Sequence, residues 1–407
     1  MQLPTRAAGP RGCRRSGSSA TAAQRAAGRG AGVAALWKRS AHPRRQTAAL
    51  AVAEASSTLE FGSNTVQGPR PTQEDRLRVE HGLPGGFTYA AVMDGHGGAL
   101  SVEWLYDELY ASVAAAVDPS FLEDGPEQPP SDALGSGTGG GTPAARQLLK
   151  GVRWPAQAGR ALSEVFRDAD RRLLEFIRGE FGTDAMGLSG STALVALVHP
   201  RKALFASLGD CVAVVCRGGT AVKATQQHRV YGIGPDVLEE VERVKSTGAW
   251  VIDGRVCNVL AVSRAFGDSE FKGPGLRALL QEGARKGMWT PEFADTHKFS
   301  SDPVIVEPDV TEVVFTPEDE FLLMATDGLW DVMQPQEVVN YARKQFKAGK
   351  SAQAVAEAVT GIAVKRYTAD NVAAIVVDLR SGDKKSSAGA SSGGGGGGLF
   401  GGLFGGR

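Results

Sequence analysis

FTYAAVMDGHGG (87–98) is a short apolar, β-favouring run that ends on an acid and then on glycine. It reads as a buried strand that delivers Asp94 to a loop. The same arrangement recurs twice. Asp327 ends FLLMATD (321–327) and is followed by Gly328, and Asp370 precedes Asn371 at the entry to VAAIVVDL (372–379). Each carboxylate therefore stands where a rigid strand meets a loop. Strand ends hold side chains accurately, and a neighbouring glycine lets backbone approach a ligand closely. Convergent carboxylates repel one another unless a cation sits between them. There is no His or Cys cluster with zinc-type spacing, so a site of carboxylate, carbonyl and water ligands favours Mg²⁺ or Mn²⁺. An isolated Asp-Gly pair is usually a turn; three acids, each beside an apolar strand, make a candidate hard-metal site.

Working outward, STALVALV (191–198), ALFASLGD (203–210) and VAVVC (212–216) are further strands. Helical spacing appears at Val102, Leu105, Leu109 and Val113, again from Leu162 to Phe176, and at Val355, Val359 and Ile362. Pro335 suits the first turn of a helix through Val338, Val339 and Ala342. Strands in groups with helices between them predict sheets packed together and covered by helices. One catalytic domain is expected over residues 60–380.

The chain has 407 residues, 42% hydrophobic and 22% charged, enough to build a sizeable core. Its formal net charge is zero, but the charge is unevenly placed. Residues 1–53 carry ten Lys/Arg and no Asp or Glu, leaving a net charge of −10 on the remainder. That acidic body argues against nucleic acid as the main partner. The basic, acid-free N-terminal stretch has the composition of an organelle transit peptide, with processing expected near Val52–Ala53. Residues 123–146 are Pro/Gly/Ser-rich and read as a flexible insertion, and 381–407 as a disordered Gly/Ser-rich tail. No run of about 18 apolar residues occurs, so no transmembrane helix is expected. Beyond Cys13, the cysteines are Cys211, Cys216 and Cys257; an odd, sparse set predicts reduced thiols. Cys211 and Cys216, five apart along a strand, should face opposite sides.

The ordered segments RPTQED (70–75), VMDGHGG (92–98), SGSTALVAL (189–197), SLGD (207–210), LAVSRAFGD (260–268), ATDGLWDVM (325–333) and DNVAAIVV (370–377) resemble the metal-dependent protein phosphatases of type 2C. The resemblance implies an α+β fold, a four-layer αββα sandwich of two antiparallel sheets flanked by helices, with two metal ions at one end. It implies that Asp94 bridges both ions, Gly95 contributes its carbonyl oxygen, and Asp327 and Asp370 complete one ion. Glu74 would reach the other through water, with Asp75 in support, and Asp210 matches an acid that holds a weaker third ion in some members. Two close ions lower the pKa of a shared water, supplying hydroxide at neutral pH. Arg70 would grip the phosphate with its planar fork, and His96 would protonate the departing Ser or Thr oxygen. Asp268 is expected to cap a helix or turn.

Two positions depart from the family pattern. Asp210–Cys211–Val212 stands where Asp-Ser-Arg is common, and Gln227–His228–Arg229 where Asp-His-Lys is common. Cys211 beside Asp210 raises the question of redox sensitivity, with a small buried residue as the plainer reading. The longer segments 92–110, 228–232 and 241–272 are similar to the plant and algal thylakoid-associated phosphatases that act on phosphorylated light-harvesting complex II. This implies a monomeric chloroplast enzyme of the stroma or stromal thylakoid face that reverses state transitions, with phosphorylated protein as substrate. Alternatives are a relative with another chloroplast substrate, or an inactive phosphoprotein-binding module, against which the intact acids 94, 327 and 370 speak. The segment 269–302, with Arg277, Arg285, Lys286, Trp289, Phe293 and Lys298, is either a docking surface or a plain surface excursion.

Overall fold

A computed structural model describes residues 59–123, 152–181 and 189–380. The stretch 1–53 expected to be a transit peptide, the tail 381–407 and all but the first residue of the expected insertion 123–146 lie outside the described residues.

The chain opens with β1 (Glu60–Val66), β2 (Asp75–Leu83), β3 (Phe87–His96) and α1 (Leu100–Ala116), followed by β4 (Val152–Arg153) and α2 (Ala156–Phe181). Next come β5 (Gly190–Ser191), β6 (Ala193–His199), β7 (Lys202–Leu208), β8 (Val212–Arg217) and β9 (Thr220–Lys223). A looser region holds α3 (Pro235–Ser246), β10 (Val251–Ile252), β11 (Arg255–Val256), β12 (Phe266–Gly267), α4 (Gly275–Arg285) and α5 (Pro291–Thr296). The last elements are β13 (Asp309–Val314), β14 (Asp319–Ala325), α6 (Asp327–Trp330), α7 (Pro335–Lys347), α8 (Ala352–Lys365) and β15 (Val372–Asp378).

Among the described residues two main antiparallel sheets form. One has the order β1-β15-β14-β8-β9; the other runs β12-β5-β3-β6-β7-β13-β4, with β2 on β3. Period-two alternation sorts their side chains into two layers of core. Ala213, Val215, Leu322, Met324, Ala373, Ile375 and Val377 of the first sheet meet Ala90, Val92, Leu194, Ala196, Val198 and Phe205 of the second. Their alternates, including Val214, Cys216, Phe321, Leu323 and Val376, pack on α7 and α8 through Val338, Val339, Phe346, Val355 and Val359. Pro335 begins α7, where Gln334 and Glu337 form a capping box. On the far side, α1 buries Val102, Leu105, Leu109 and Val113, and α2 buries Leu162, Phe166, Ala169 and Leu173. Their aromatic contacts to the second sheet include Tyr110 on Tyr89 at 5.1 Å and Phe166 on Phe266 at 5.1 Å. The four-layer αββα sandwich expected from the resemblance is the observed fold.

Cys211 lies in the inter-sheet core and Cys216 in the layer beneath α7 and α8, on opposite faces as their spacing predicts. Both are free thiols, as is Cys257. Burial, with Asp94 and Asp210 nearby, pushes the Cys211 thiol well up. It is therefore a small buried residue, and the redox reading gains nothing.

Elements missed in the sequence are mostly the short or charged ones: β1, β2, β4, β9, β10, β11, β12, β13, α3, α4, α5 and α6. The segment 269–302 forms α4 and α5. Its Trp289 and Phe293 rings pack edge-on against Trp250, at 5.2 and 5.3 Å, while Arg277 pairs with Asp295, and Arg285 and Lys286 with Glu282. Its aromatic residues build a small core, and these basic side chains are engaged locally.

Candidate metal centre

Strand registers bring the acids to one end of the sandwich. Asp75 begins β2 directly opposite Asp94 on β3. Ala325, at the end of β14, is flanked by Val212 and Ala374. Asp210 just before β8, Asp327 just after β14 and Asp370 just before β15 are therefore neighbours in space.

Within that end, carboxylate oxygens of Asp94, Asp210 and Asp327 lie within 4.8 Å of one another. Asp370 is placed beside them, and Arg70 Nη2 donates to its Oδ2 at 2.6 Å. The Arg70 side chain is 51% exposed, open to a ligand from solvent. Asp75 is buried and its Oδ2 accepts a hydrogen bond from the Thr326 hydroxyl at 3.0 Å. Glu74 stands at the rim, where its Oε1 accepts from the Thr72 hydroxyl at 3.1 Å. The Gly95 amide donates to the Glu74 carbonyl at 3.2 Å. A Cβ at position 95 would lie 2.8 Å from that carbonyl oxygen and 2.9 Å from Val102. Glycine is thus required for these two backbone segments to approach.

Ser191 and Thr192 brace Asp94 rather than offering nucleophiles. The Asp94 carbonyl accepts from the Thr192 amide at 2.9 Å and from the Ser191 hydroxyl at 3.1 Å. His96, two residues beyond Asp94, presents Nε2 to Asp268 at 2.8 Å. Asp268 stands at the N-cap position before Ser269–Phe271, as the sequence suggested, and its carbonyl accepts from the Phe271 amide at 2.9 Å, but its side chain makes no capping bond and reaches the imidazole instead.

The electrostatics follow from this crowding. Burial raises Asp94 and Asp327 well above the ordinary carboxylate range, and neighbouring acids push them further. Asp75 rises to about 7, through burial first and the Asp370 charge among its lesser causes. Asp210 and Asp370 rise too, chiefly by burial, with Arg229 and Arg70 respectively pulling back. For His96, burial pulls the imidazole down, but Asp268 outweighs it and the net shift is upward.

A family model described as protein phosphatase 2C matches residues 149–372. Protein phosphatase 2C 57 of Arabidopsis thaliana is 34% identical over 341 residues, 83% of this chain and 80% of that protein. The chain belongs to the protein phosphatase 2C family. Among solved structures, a serine-threonine phosphatase 2C from Toxoplasma gondii superposes with a TM-score of 0.51 at 19% identity, covering 80% of this chain and 96% of that one. A C. elegans sex-determining protein superposes at 0.54 and 21% identity, covering 82% and 68%. These likenesses support the fold. This 2C-type chain is a protein serine/threonine phosphatase, a metal-dependent hydrolase of phosphoproteins.

The residues present fit hard divalent cations. Oδ1 of Asp327 is buried without a hydrogen-bond partner, an arrangement that costs free energy unless a cation completes it. The mutual repulsion of the acids has the same remedy, and an all-oxygen donor set suits Mg²⁺ or Mn²⁺.

Three neighbours of the acids escaped the sequence reading. Asp331 raises Asp210, Asp327 and Asp370 and pairs with Arg229 at 3.2 Å. Its spacing of four from Asp327, one helical turn, was the available signal. Tyr231 donates to Asp210 Oδ2 at 3.4 Å, with the Arg229 guanidinium over its ring at 4.4 Å. Nothing in the local sequence marks those two contacts.

Proposed function

We propose that this phosphatase hydrolyses phosphoserine and phosphothreonine in chloroplast thylakoid phosphoproteins, light-harvesting complex II among them, working as a monomer at the stroma or stromal thylakoid face. The observation that carries the catalytic part is the convergence of Asp94, Asp210 and Asp327 around an unpartnered Asp327 Oδ1. The substrate and compartment rest on the basic, acid-free composition of residues 1–53 and on the likeness of segments 92–110, 228–232 and 241–272 to thylakoid-associated phosphatases. Among the described residues no helix is long and apolar enough to cross a membrane.

Two Mg²⁺ or Mn²⁺ ions would be held by Asp94, the Gly95 carbonyl, Asp327, Asp370 and Glu74, with Asp75 supporting from beneath and Asp210 serving a third, weaker ion. Bound there, the ions would lower the pKa of a shared water and offset charge on the phosphoryl group. Arg70 orients the substrate: its planar fork takes phosphate oxygens while its contact with Asp370 fixes it beside the acids. His96, 27% exposed, supplies a proton to the departing Ser or Thr oxygen.

The test has two arms. The purified full chain with millimolar Mn²⁺ is expected to release phosphate from phosphothreonine peptides, and Asp94→Asn to abolish it; an inactive wild type would return the chain to the phosphoprotein-binding reading. Thylakoid phosphoproteins are then compared with and without this protein. Persistent phosphorylation of light-harvesting proteins supports the narrow assignment, whereas an unchanged pattern removes that substrate.

A further inference from the structure

Asp268 lies apart from the acids that would hold metal, yet its side chain is 4% exposed and both carboxylate oxygens reach Nε2 of His96, at 2.8 and 2.9 Å. Local structure does not account for this. The residue precedes the one-turn 3-10 segment Ser269–Phe271 in a left-handed conformation, φ 46°, which disfavours a residue with a Cβ.

Surrounding contacts hold the turn in that shape. Asp170 of α2 is buried, accepts from the Gly267 amide at 2.8 Å, and takes the buried Lys272 ammonium on both oxygens at 2.9 and 3.0 Å. Lys272 also donates to the Ala265 carbonyl at 2.9 Å, and the Asp268 amide donates to the Ser189 carbonyl at 3.2 Å.

The pair is assembled across a gap left by Gly190. That residue lies opposite His96 in β3 on one side and opposite Gly267 in β12 on the other. A Cβ at position 190 would stand 2.4 Å from His96 Nε2 and from each Asp268 oxygen. Three strand segments and a buried ion pair thus converge on one imidazole–carboxylate contact.

We propose that Asp268 is the positioning residue of His96, fixing the ring through Nε2–H so that Nδ1 is the nitrogen that delivers the proton. This rests on the phosphatase reading with His96 as general acid. As the new P–O bond forms from water, the ester P–O bond breaks and its electron pair goes to the Ser or Thr oxygen. That oxygen takes the Nδ1 proton, leaving neutral imidazole. The attacking water gives up a proton to solvent and His96 regains one, so the charge balances. An asparagine at 268 offers a neutral amide in place of the carboxylate and weakens the preference for one tautomer.

The test uses the Mn²⁺-loaded full chain and two substrates. A phosphothreonine peptide has a leaving oxygen that needs a proton; p-nitrophenyl phosphate does not. Asp268→Asn is expected to lower kcat on the peptide by roughly 10²–10³-fold and on p-nitrophenyl phosphate by less than about threefold, with KM little changed. His96→Ala should show the same split, and the double variant should be no worse than the worse single one. Equal losses on both substrates, or no loss on either, would overturn the proposal. Proton–nitrogen correlation spectra of the His96 ring read the pairing without turnover. Nε2–H is expected in the wild type and weakened in Asp268→Asn, and Nδ1–H as the sole wild-type tautomer would overturn it. If the wild type itself hydrolyses neither substrate, the phosphatase reading fails, and the ring spectra still decide the contact.

Discussion

Asp75 and Asp94 face each other across the β2–β3 ladder, so one buried carboxylate opens a strand directly opposite the acid near the end of its neighbour. Neither has a basic partner of its own within hydrogen-bonding distance among the described contacts; Asp75 is held by the Thr326 hydroxyl. Such an arrangement serves cation binding at the expense of stability in the cation's absence.

Neutralising one acid should therefore separate stability from function. Asp327→Asn removes a carboxylate raised by burial and by Asp210, Asp331, Asp370 and Asp75. The metal-free variant is expected to gain about 1–2 kcal/mol, with Tm up by roughly 2–6 °C, while losing at least about 10²-fold in activity. Calorimetry in chelator and phosphate-release assays in Mn²⁺ measure the two effects.

The pH dependence of the metal-free protein follows from Asp75. Folded, it keeps its proton up to about 7; the unfolded chain loses it around its ordinary value of 3.8. Between those values the folded state binds more protons, so this group makes stability fall as pH rises from about 4 to about 7. Thermal melts in chelator should show a shallower fall for Asp75→Asn than for the wild type. Adding Mn²⁺ should reverse the wild-type trend, because the metal binds the deprotonated acids.

Arg70→Ala removes the half-exposed guanidinium beside Asp370. Loss of one charge-assisted contact in that setting is expected to raise KM for a phosphopeptide about tenfold and to weaken inhibition by free phosphate to a similar degree. Steady-state kinetics with phosphate as inhibitor test this, and a change in kcat alone would contradict it.

Gly328→Ala probes the approach of two backbones. Its Cβ would stand 1.9 Å from the Asn371 carbonyl oxygen, which is main chain and can yield only if β15 shifts away from the start of α6. Urea unfolding should show a loss of about 1–3 kcal/mol. Mn²⁺ affinity should fall with it, because Asp327 and Asp370 sit on either side of this contact.

Much of the sandwich was legible because burial is written locally. FTYAAVMD, STALVALV, VAVVC, FLLMAT and VAAIVV are apolar enough to announce strands, and the spacing from Val102 to Val113 announces α1. β2, with the sequence DRLRVEHGL, was hidden because it is an edge strand whose charges face partly outward. The two-residue strand β12 was hidden because it is too short to show a period.

The sequence by itself determined that Asp94, Asp327 and Asp370 stand in a buried strand or within two residues of one, since an apolar run meeting an acid is a local pattern; β3 continues past Asp94 to His96, and Asp327 opens α6. Only the tertiary structure decided how the acids are shared out. Asp210 joins Asp94 and Asp327 in the tight cluster, Asp370 takes Arg70 from 300 residues away, and Asp268 takes His96 from 172 residues away. The physical reason is register: partners so distant in the chain are chosen by which strands pair and at what offset, and a shift of one residue would turn Asp94 to the opposite face of its sheet.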